Sequence, residues 1–252
     1  MNTIKYEINE KGICLLSFNR LSKHHSFSRE LLHDLKTALN ILKDDKAVKI
    51  LIITGVGKKA FSTGADLKEL QGLKTIVEAR DYALLLEETS EQLFQFPTPV
   101  ISAINGYALG GGMGYAAATD YRIIAETAKV GFPAIKLGAI LPVTCTLYLK
   151  ELIGMSHSKD ILLTGRMMNA AEAKEMGLVN KIVKDADLMK EAHKLAENII
   201  EGSTDAIMYT KKTLNSLLAA EIQSQKLYAA DNFAFLSQTK EWQERIGNFG
   251  KK

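Results

Sequence analysis

Two short runs with apolar residues, TIKYEI (3–8) and ICLLSF (13–18), flank the turn residues NEKG, a pattern that predicts a β-hairpin. Leu31, Leu32, Leu35, Leu39 and Leu42 recur at helical spacing behind Ser28, which reads as the N-cap. KILIIT (49–54) and VISAI (100–104) are continuous apolar runs, expected of strands buried on both faces. Between them, TIVEARDYALLLEETSEQLFQF predicts a helix stopped by Pro97 and Pro99, and YRIIAE (121–126) predicts a third such strand. A helix is expected to start near Gly112. Strands alternating with helices place the chain in the α/β class. From about Asp185 only helical patterns remain, over 187–201, 204–219, 221–236 and about 240–247. They predict a helical C-terminal part packed on the core or on a neighbouring molecule.

Composition changes this picture little. The 252 residues are 46% hydrophobic and 24% charged, ordinary for a globular protein. With 32 basic and 29 acidic residues the net charge is +3, so nucleic acid is not an expected partner and any anion site must be local. Cys14 and Cys145 match no metal spacing and no disulfide framework, which predicts a reducing, cytoplasmic setting. The N-terminus has no signal-peptide pattern. The one uncharged stretch long enough for a membrane, Pro97 to Thr119, is broken by two prolines and five glycines, so no membrane span is expected.

The candidate chemistry lies in the glycines. NGYALGGGMGYAAATD (105–120) follows the strand VISAI, and AFSTGADL (60–67) follows KILIIT. Glycine admits positive φ and close approach to the backbone. Two glycine-bearing turns after buried strands can aim two backbone N–H groups at one oxygen, a task that needs no particular side chain. Neither a phosphate loop nor a dinucleotide site fits. No Lys-Ser/Thr follows Gly110 to Gly114, and GVGKKA (55–60), which has the loose dinucleotide spacing, leads into FSTGAD rather than a helix.

Three segments carry a resemblance: AFSTGADLKEL (60–70), PVISAINGYALGGGMGYAAATDYRIIAE (99–126) and LTGRMMNAAEAKEMGLVNKIV (163–183). In order and spacing they resemble the crotonase, or enoyl-CoA hydratase/isomerase, family over nearly the whole chain. The resemblance implies a crotonase-like spiral of β-β-α units. It also implies a core over 1–195 that carries an acyl-CoA site and a C-terminal helical part over 196–252 used in forming a homotrimer or a dimer of trimers. It implies a coenzyme A thioester whose carbonyl is polarised by the backbone N–H groups of Ala65 and Gly111. Asp66 and Leu67 flank this loop, and Lys68 is expected to face the coenzyme phosphates, with Lys23 of RLSKHH as a further cation. His24 and His25 stand where the family usually has Arg-Asn, and are expected at the coenzyme entrance. The family's C-terminal Phe-x-x-Lys, offered by a neighbouring subunit, matches Phe249 and Lys252. No separate cofactor is expected, since coenzyme A arrives as part of the substrate.

Family hydratases carry two glutamates that handle water and its proton; the matching positions here are Gly114 and Ala134. Some relatives place an acid further on, where this chain has Pro142. All three positions are non-ionisable, so efficient hydration is not expected; restoring glutamates at 114 and 134 would recover rate only where the oxyanion hole is intact, Gly114 does not need its glycine conformation and the pocket has room for the added side chains. Alternatives are an acyl-CoA decarboxylase or lyase, in which loss of carbon dioxide itself generates the enolate, and a catalytically impaired acyl-CoA-binding subunit. Among nearby groups, Tyr115 and Cys145 read as packed residues, Thr144 as a neighbour of the pocket, and Asp120 as an anchor of the turn that follows.

Overall fold

The computed structural model describes residues 1–248. The chain opens with strands β1 (Ile4–Ile8) and β2 (Ile13–Phe18), which pair antiparallel as the hairpin expected. Asn9 Oδ1 holds the turn by accepting from the N–H groups of Lys11 and Ile13, each at 3.0 Å. Helix α1 (Arg29–Asp44) starts at Ser28, whose side chain accepts from Leu31 N, and it buries all five leucines of the periodic stripe.

Three β-β-α units follow. The first comprises β3 (Ile50–Gly55), β4 (Ala60–Ser62) and helices α2 (Leu67–Gly72) and α3 (Ile76–Phe94). The second comprises β5 (Val100–Ile104), β6 (Tyr107–Leu109) and α4 (Gly111–Ala117). The third comprises β7 (Tyr121–Ala125), β8 (Lys129–Gly131) and α5 (Val143–Thr164), preceded by a 3-10 turn over Pro133–Leu137. Then come β9 (Met167–Asn169), α6 (Ala170–Glu175), β10 (Lys181–Val183), α7 (Leu188–Ile200), α8 (Thr204–Ser237) and α9 (Lys240–Asn248).

The first strand of each unit enters a six-stranded sheet in the order β1-β2-β3-β5-β7-β10. The second enters a four-stranded sheet in the order β4-β6-β8-β9. Each unit therefore repeats its predecessor one strand further along both sheets, and the chain climbs as a spiral. The unit strands β3, β5 and β7 run parallel and are buried on both faces almost throughout, as their unbroken apolar sequences require. Asn105 links the first two units by donating from Nδ2 to the carbonyl oxygens of Gly55 and Gly57.

The helical C-terminal region differs from the sequence reading in the length of one helix and in where its boundary falls. The two patterns at 204–219 and 221–236 form a single helix of 34 residues. No glycine or proline falls between Thr204 and Ser237, so nothing ends the first pattern before the second begins. Lys211 pins α8 to the second unit: its buried Nζ donates to Thr98 O at 3.0 Å and to Asp120 Oδ2 at 2.6 Å. Ile222 of α8 is fully buried, whereas Leu214, Leu217 and Leu227 are exposed. The division expected between 195 and 196 falls inside α7, which packs on the large sheet. Among the described residues no helix is long and apolar enough to cross a membrane, and the uncharged stretch 97–119 folds into β5, β6 and α4.

Candidate functional site

The two glycine-bearing turns meet. After β4 the chain runs through Thr63, Gly64 and Ala65 to Asp66, the N-cap of α2. Gly64 has φ +79°, and a Cβ added there would stand 2.6 Å from Leu109 O and 2.9 Å from Gly111 N. The first loop can lie this close to the second only without a side chain. After β6, Gly110 donates its N–H to Gly131 O at 2.8 Å and leads into α4. Among the described residues, neither the Ala65 N–H nor the Gly111 N–H has a protein acceptor.

Both residues face the same space. Ala65 and Gly111 line a narrow neck together with Leu86, Ala134, Pro142 and Phe233. Among the described residues, no ionisable side chain lines this neck. On one side it opens into a cavity of about 610 Å³ bordered by Lys23, His24, Asp66, Lys68 and Lys136. On the other it adjoins an apolar chamber of about 320 Å³, with Ile140, Leu141, Val143, Leu162 and Tyr228 in its wall. Thr63, Ala65, Pro133 and Leu137 are shared by neck and cationic mouth; Ala134, Ala139, Ile140 and Leu141 are shared by neck and chamber.

The first loop is held from beneath. Asp66 accepts from Ser26 Oγ at 2.8 Å, from an Arg20 guanidinium nitrogen at 2.9 Å and from Lys68 N at 2.9 Å. Burial works to raise the Asp66 pKa, but these hydrogen bonds outweigh it and hold the carboxyl below its usual value. Its carboxylate is therefore committed to the loop, although the residue borders the mouth. Leu67 borders the mouth as well. Glu69 is turned toward α1, accepting from Arg29 N at 3.0 Å.

The structure corrects the expectations for His25 and Thr144 and agrees with those for Tyr115, Cys145 and Asp120. His24 borders the mouth, but His25 does not. It is buried, with Nδ1 accepting from Arg20 N and Nε2 placed 2.9 Å from Val56 O, a pairing that assigns the proton to Nε2. Thr144 and Cys145 lie in the first turn of α5, fully buried behind the pocket wall rather than in it. Tyr115 is packed: its OH donates to Leu86 O at 2.9 Å, and its ring lies 4.4 Å from that of Phe27. Burial pushes the Cys145 thiol up to about 12, which leaves it no thiolate character. Asp120 accepts from Val100 N at 2.7 Å as well as from Lys211, so it anchors β5 and α8 together. Phe249 and Lys252 lie outside the described residues.

The three non-ionisable positions have different surroundings. Ala134 and Pro142 line the neck. Gly114 does not: a Cβ there would overlap Cys145 Sγ and stand 2.8 Å from Cys145 Cβ. The space an acid would need at 114 is filled by the cysteine. Restoring glutamate at that position is therefore blocked unless residue 145 is also changed.

Sequence reasoning missed two charged residues. Lys136 borders the mouth from the 3-10 turn of the third unit. Glu87 of α3 is 1% exposed, with Oε1 accepting from Val143 N at 2.5 Å and Oε2 from Thr144 Oγ1 at 2.9 Å. Burial raises its pKa, and the hydrogen bonds from Thr144 and Val143 offset only part of the rise. Glu87 directly follows the apolar run YALLL (82–86) of α3 and shares the buried side of that helix with Ala83 and Ser90.

Comparison with known proteins gives a consistent result. A family model described as enoyl-CoA hydratase/isomerase matches residues 8–252. A crotonyl-CoA hydratase of Syntrophomonas wolfei is 34% identical over 243 residues, covering 96% of this chain and 93% of the relative. A short-chain-enoyl-CoA hydratase of Clostridium acetobutylicum is 29% identical over the same length, with the same coverages. Among solved structures, an enoyl-CoA hydratase from Bacillus anthracis superposes with a TM-score of 0.82 at 32% identity, covering 99% of this chain and 96% of that one. An enoyl-CoA hydratase/isomerase from Mycobacterium paratuberculosis reaches 0.91 at 26% identity, covering 99% of both. The spiral of β-β-α units, the paired turns and these similarities agree, and the chain belongs to the enoyl-CoA hydratase/isomerase family.

Proposed function

We propose that this protein acts on acyl-CoA thioesters through an enolate-type intermediate. The thioester carbonyl would sit in the neck and accept hydrogen bonds from the N–H groups of Ala65 and Gly111. The observation that carries this reading is that Ala65 and Gly111, whose N–H groups have no protein acceptor among the described residues, line one neck that shares its walls with a cationic mouth and an apolar chamber. Lys23, Lys68 and Lys136 suit the phosphates of coenzyme A, and the chamber suits an acyl group. Each backbone donor aimed at a developing oxyanion is worth on the order of 10²- to 10³-fold in rate. The side chains Gly114, Ala134 and Pro142 supply no acid or base to move a proton.

That absence favours a second reading within the same site. A thioester bearing a carboxylate can lose carbon dioxide and leave its electron pair on the enolate, with no protein base required. Decarboxylation or a related lyase reaction therefore suits the neck better than hydration does. The test is to titrate the purified protein with butyryl-CoA and assay turnover of crotonyl-CoA and malonyl-type thioesters. Binding of butyryl-CoA is expected to weaken with salt and by roughly two- to fivefold on Lys68→Ala, the range of an exposed ion pair. Failure to bind any thioester would overturn the reading. Binding with no turnover on the whole panel would leave an acyl-CoA-binding subunit.

The active form is proposed to be a homotrimer or a dimer of trimers, in the reducing setting of the cytoplasm. Leu214, Leu217, Leu227, Tyr228 and Phe235 leave α8 with a long exposed apolar face, unusual for a monomer. Light scattering at micromolar concentration is expected to return three or six times the 27.8 kDa chain mass. A monomer would contradict the assignment.

A further inference from the structure

We infer that Phe27 is a positioning residue that sets how far apart the Ala65 and Gly111 N–H groups lie. The inference rests on the thioester reading of the neck and goes beyond it by naming the part that holds the two donors together.

Phe27 grips the first loop with its backbone. Its N–H donates to Gly64 O at 2.7 Å, and its carbonyl oxygen accepts from Asp66 N at 3.2 Å. These bonds take up the peptide groups on either side of Ala65 in a short parallel bridge, and the Ala65 N–H is left out of that pairing. The same carbonyl accepts from the buried Tyr82 OH at 2.6 Å, which ties it to α3.

Its ring supports the second loop. Two ring carbons lie 3.6 Å from the point where a Cβ on Gly111 would sit, which is van der Waals distance. The ring centroid lies 4.4 Å from that of Tyr115 on the same helix, α4, with the two rings tilted by 35°. One fully buried side chain thus carries α4, while its own backbone carries Gly64 to Asp66. Ser28, the next residue, caps α1, so the spacer is fixed at the end of a helix of 16 residues. A smaller side chain at 27 would let α4 settle toward α1 while the backbone clamp keeps the first loop in place. The two N–H groups would then no longer meet one oxygen at hydrogen-bonding distance. Misplacement of about 1 Å in a catalytic constellation can cost about 10²-fold.

The test reads the carbonyl directly. Butyryl-CoA labelled with ¹³C at the thioester carbonyl is bound to the protein, and its stretching frequency is measured by difference infrared spectroscopy. The natural protein is expected to lower the frequency relative to free ligand. Phe27→Leu is expected to lose at least half of that shift, with Kd changed by less than about threefold. On a substrate that turns over, it should lower kcat tenfold or more at nearly constant KM. Phe27→Met serves the same purpose if the leucine variant unfolds. Phe18→Leu is the control: Phe18 is equally buried and touches the Phe27 ring edge at a centroid distance of 5.8 Å. It should lower the melting temperature and leave the shift intact. A full shift in the folded Phe27 variants would overturn the inference while the thioester reading stands. No shift in the natural protein would overturn both.

Discussion

Gly64→Ala is expected to lower kcat/KM on any acyl-CoA substrate by about 10²- to 10³-fold, the loss of one oxyanion donor. Two effects combine. The residue has φ +79°, where an L side chain is strained, and the new methyl group would press on Leu109 O and Gly111 N. Because the contacted atoms are backbone, they yield only by moving the second loop, and the Gly111 donor moves with it. Gly57→Ala provides the comparison. Its φ is +85°, nearly the same, but the added Cβ meets only a methyl group of the flexible Leu21 side chain, at 2.9 Å. The Gly57 variant should lose stability alone, whereas the Gly64 variant should lose activity as well. Steady-state kinetics and thermal unfolding of the two variants, measured side by side, separate strain from loss of the donor. Equal activity in both variants would remove the first loop from the reaction.

Crotonyl-CoA hydration is expected to be at least about 10³-fold slower than in a hydratase with carboxylates at both expected positions, the mid-range worth of one acid–base group. Gly114→Glu alone is expected to abolish folding or binding, because Cys145 occupies the space. Gly114→Glu combined with Cys145→Gly and Ala134→Glu removes the obstruction and places two carboxyl groups at the expected positions. This triple variant should hydrate crotonyl-CoA faster than the natural protein, provided that it folds, which circular dichroism checks. A steady-state assay decides the question for the natural chain. Turnover of roughly 10 to 10³ per second, the usual enzyme range, would show that another group handles the proton. Glu87, held behind the pocket wall at the start of α5, would then be the first residue to replace.

The parts of the site that were legible in the sequence are the local ones. KILIIT and VISAI form β3 and β5, and Ser28 announces α1 within three residues, whereas the short strands β4 and β6 fall inside the stretches read as turns. What was not legible depends on contacts between distant segments. Cys145 fills the space beside Gly114 because the start of α5 packs against α4, and a spacing of 31 residues gives no sign of that. Glu87 meets Val143 across 56 residues, so its position in an apolar helix face marked it as unusual without naming its partner. His24 and His25 looked equivalent as neighbours, yet opposite side-chain placements put one at the mouth and the other in the core. The continuity of α8 across residue 220 rests on the absence of any glycine or proline there, which two separate helical patterns leave unstated.

The spiral also bears on how many hydrogen bonds a carbonyl would receive under the proposed reading of the neck. Each unit crosses from the large sheet to the small one and then turns out beside the neck, so equivalent turns follow β4, β6 and β8. The first two present Ala65 and Gly111. The third presents Pro133, which borders both the neck and the mouth. Proline has no N–H, and its ring fixes φ. A third amide here would draw the oxygen away from the line between the other two, or hold a water molecule in its place. Proline instead gives the third turn a rigid apolar edge. In the proposed reading, successive turns of one repeating architecture thus supply two arms that would grip and one that would only confine.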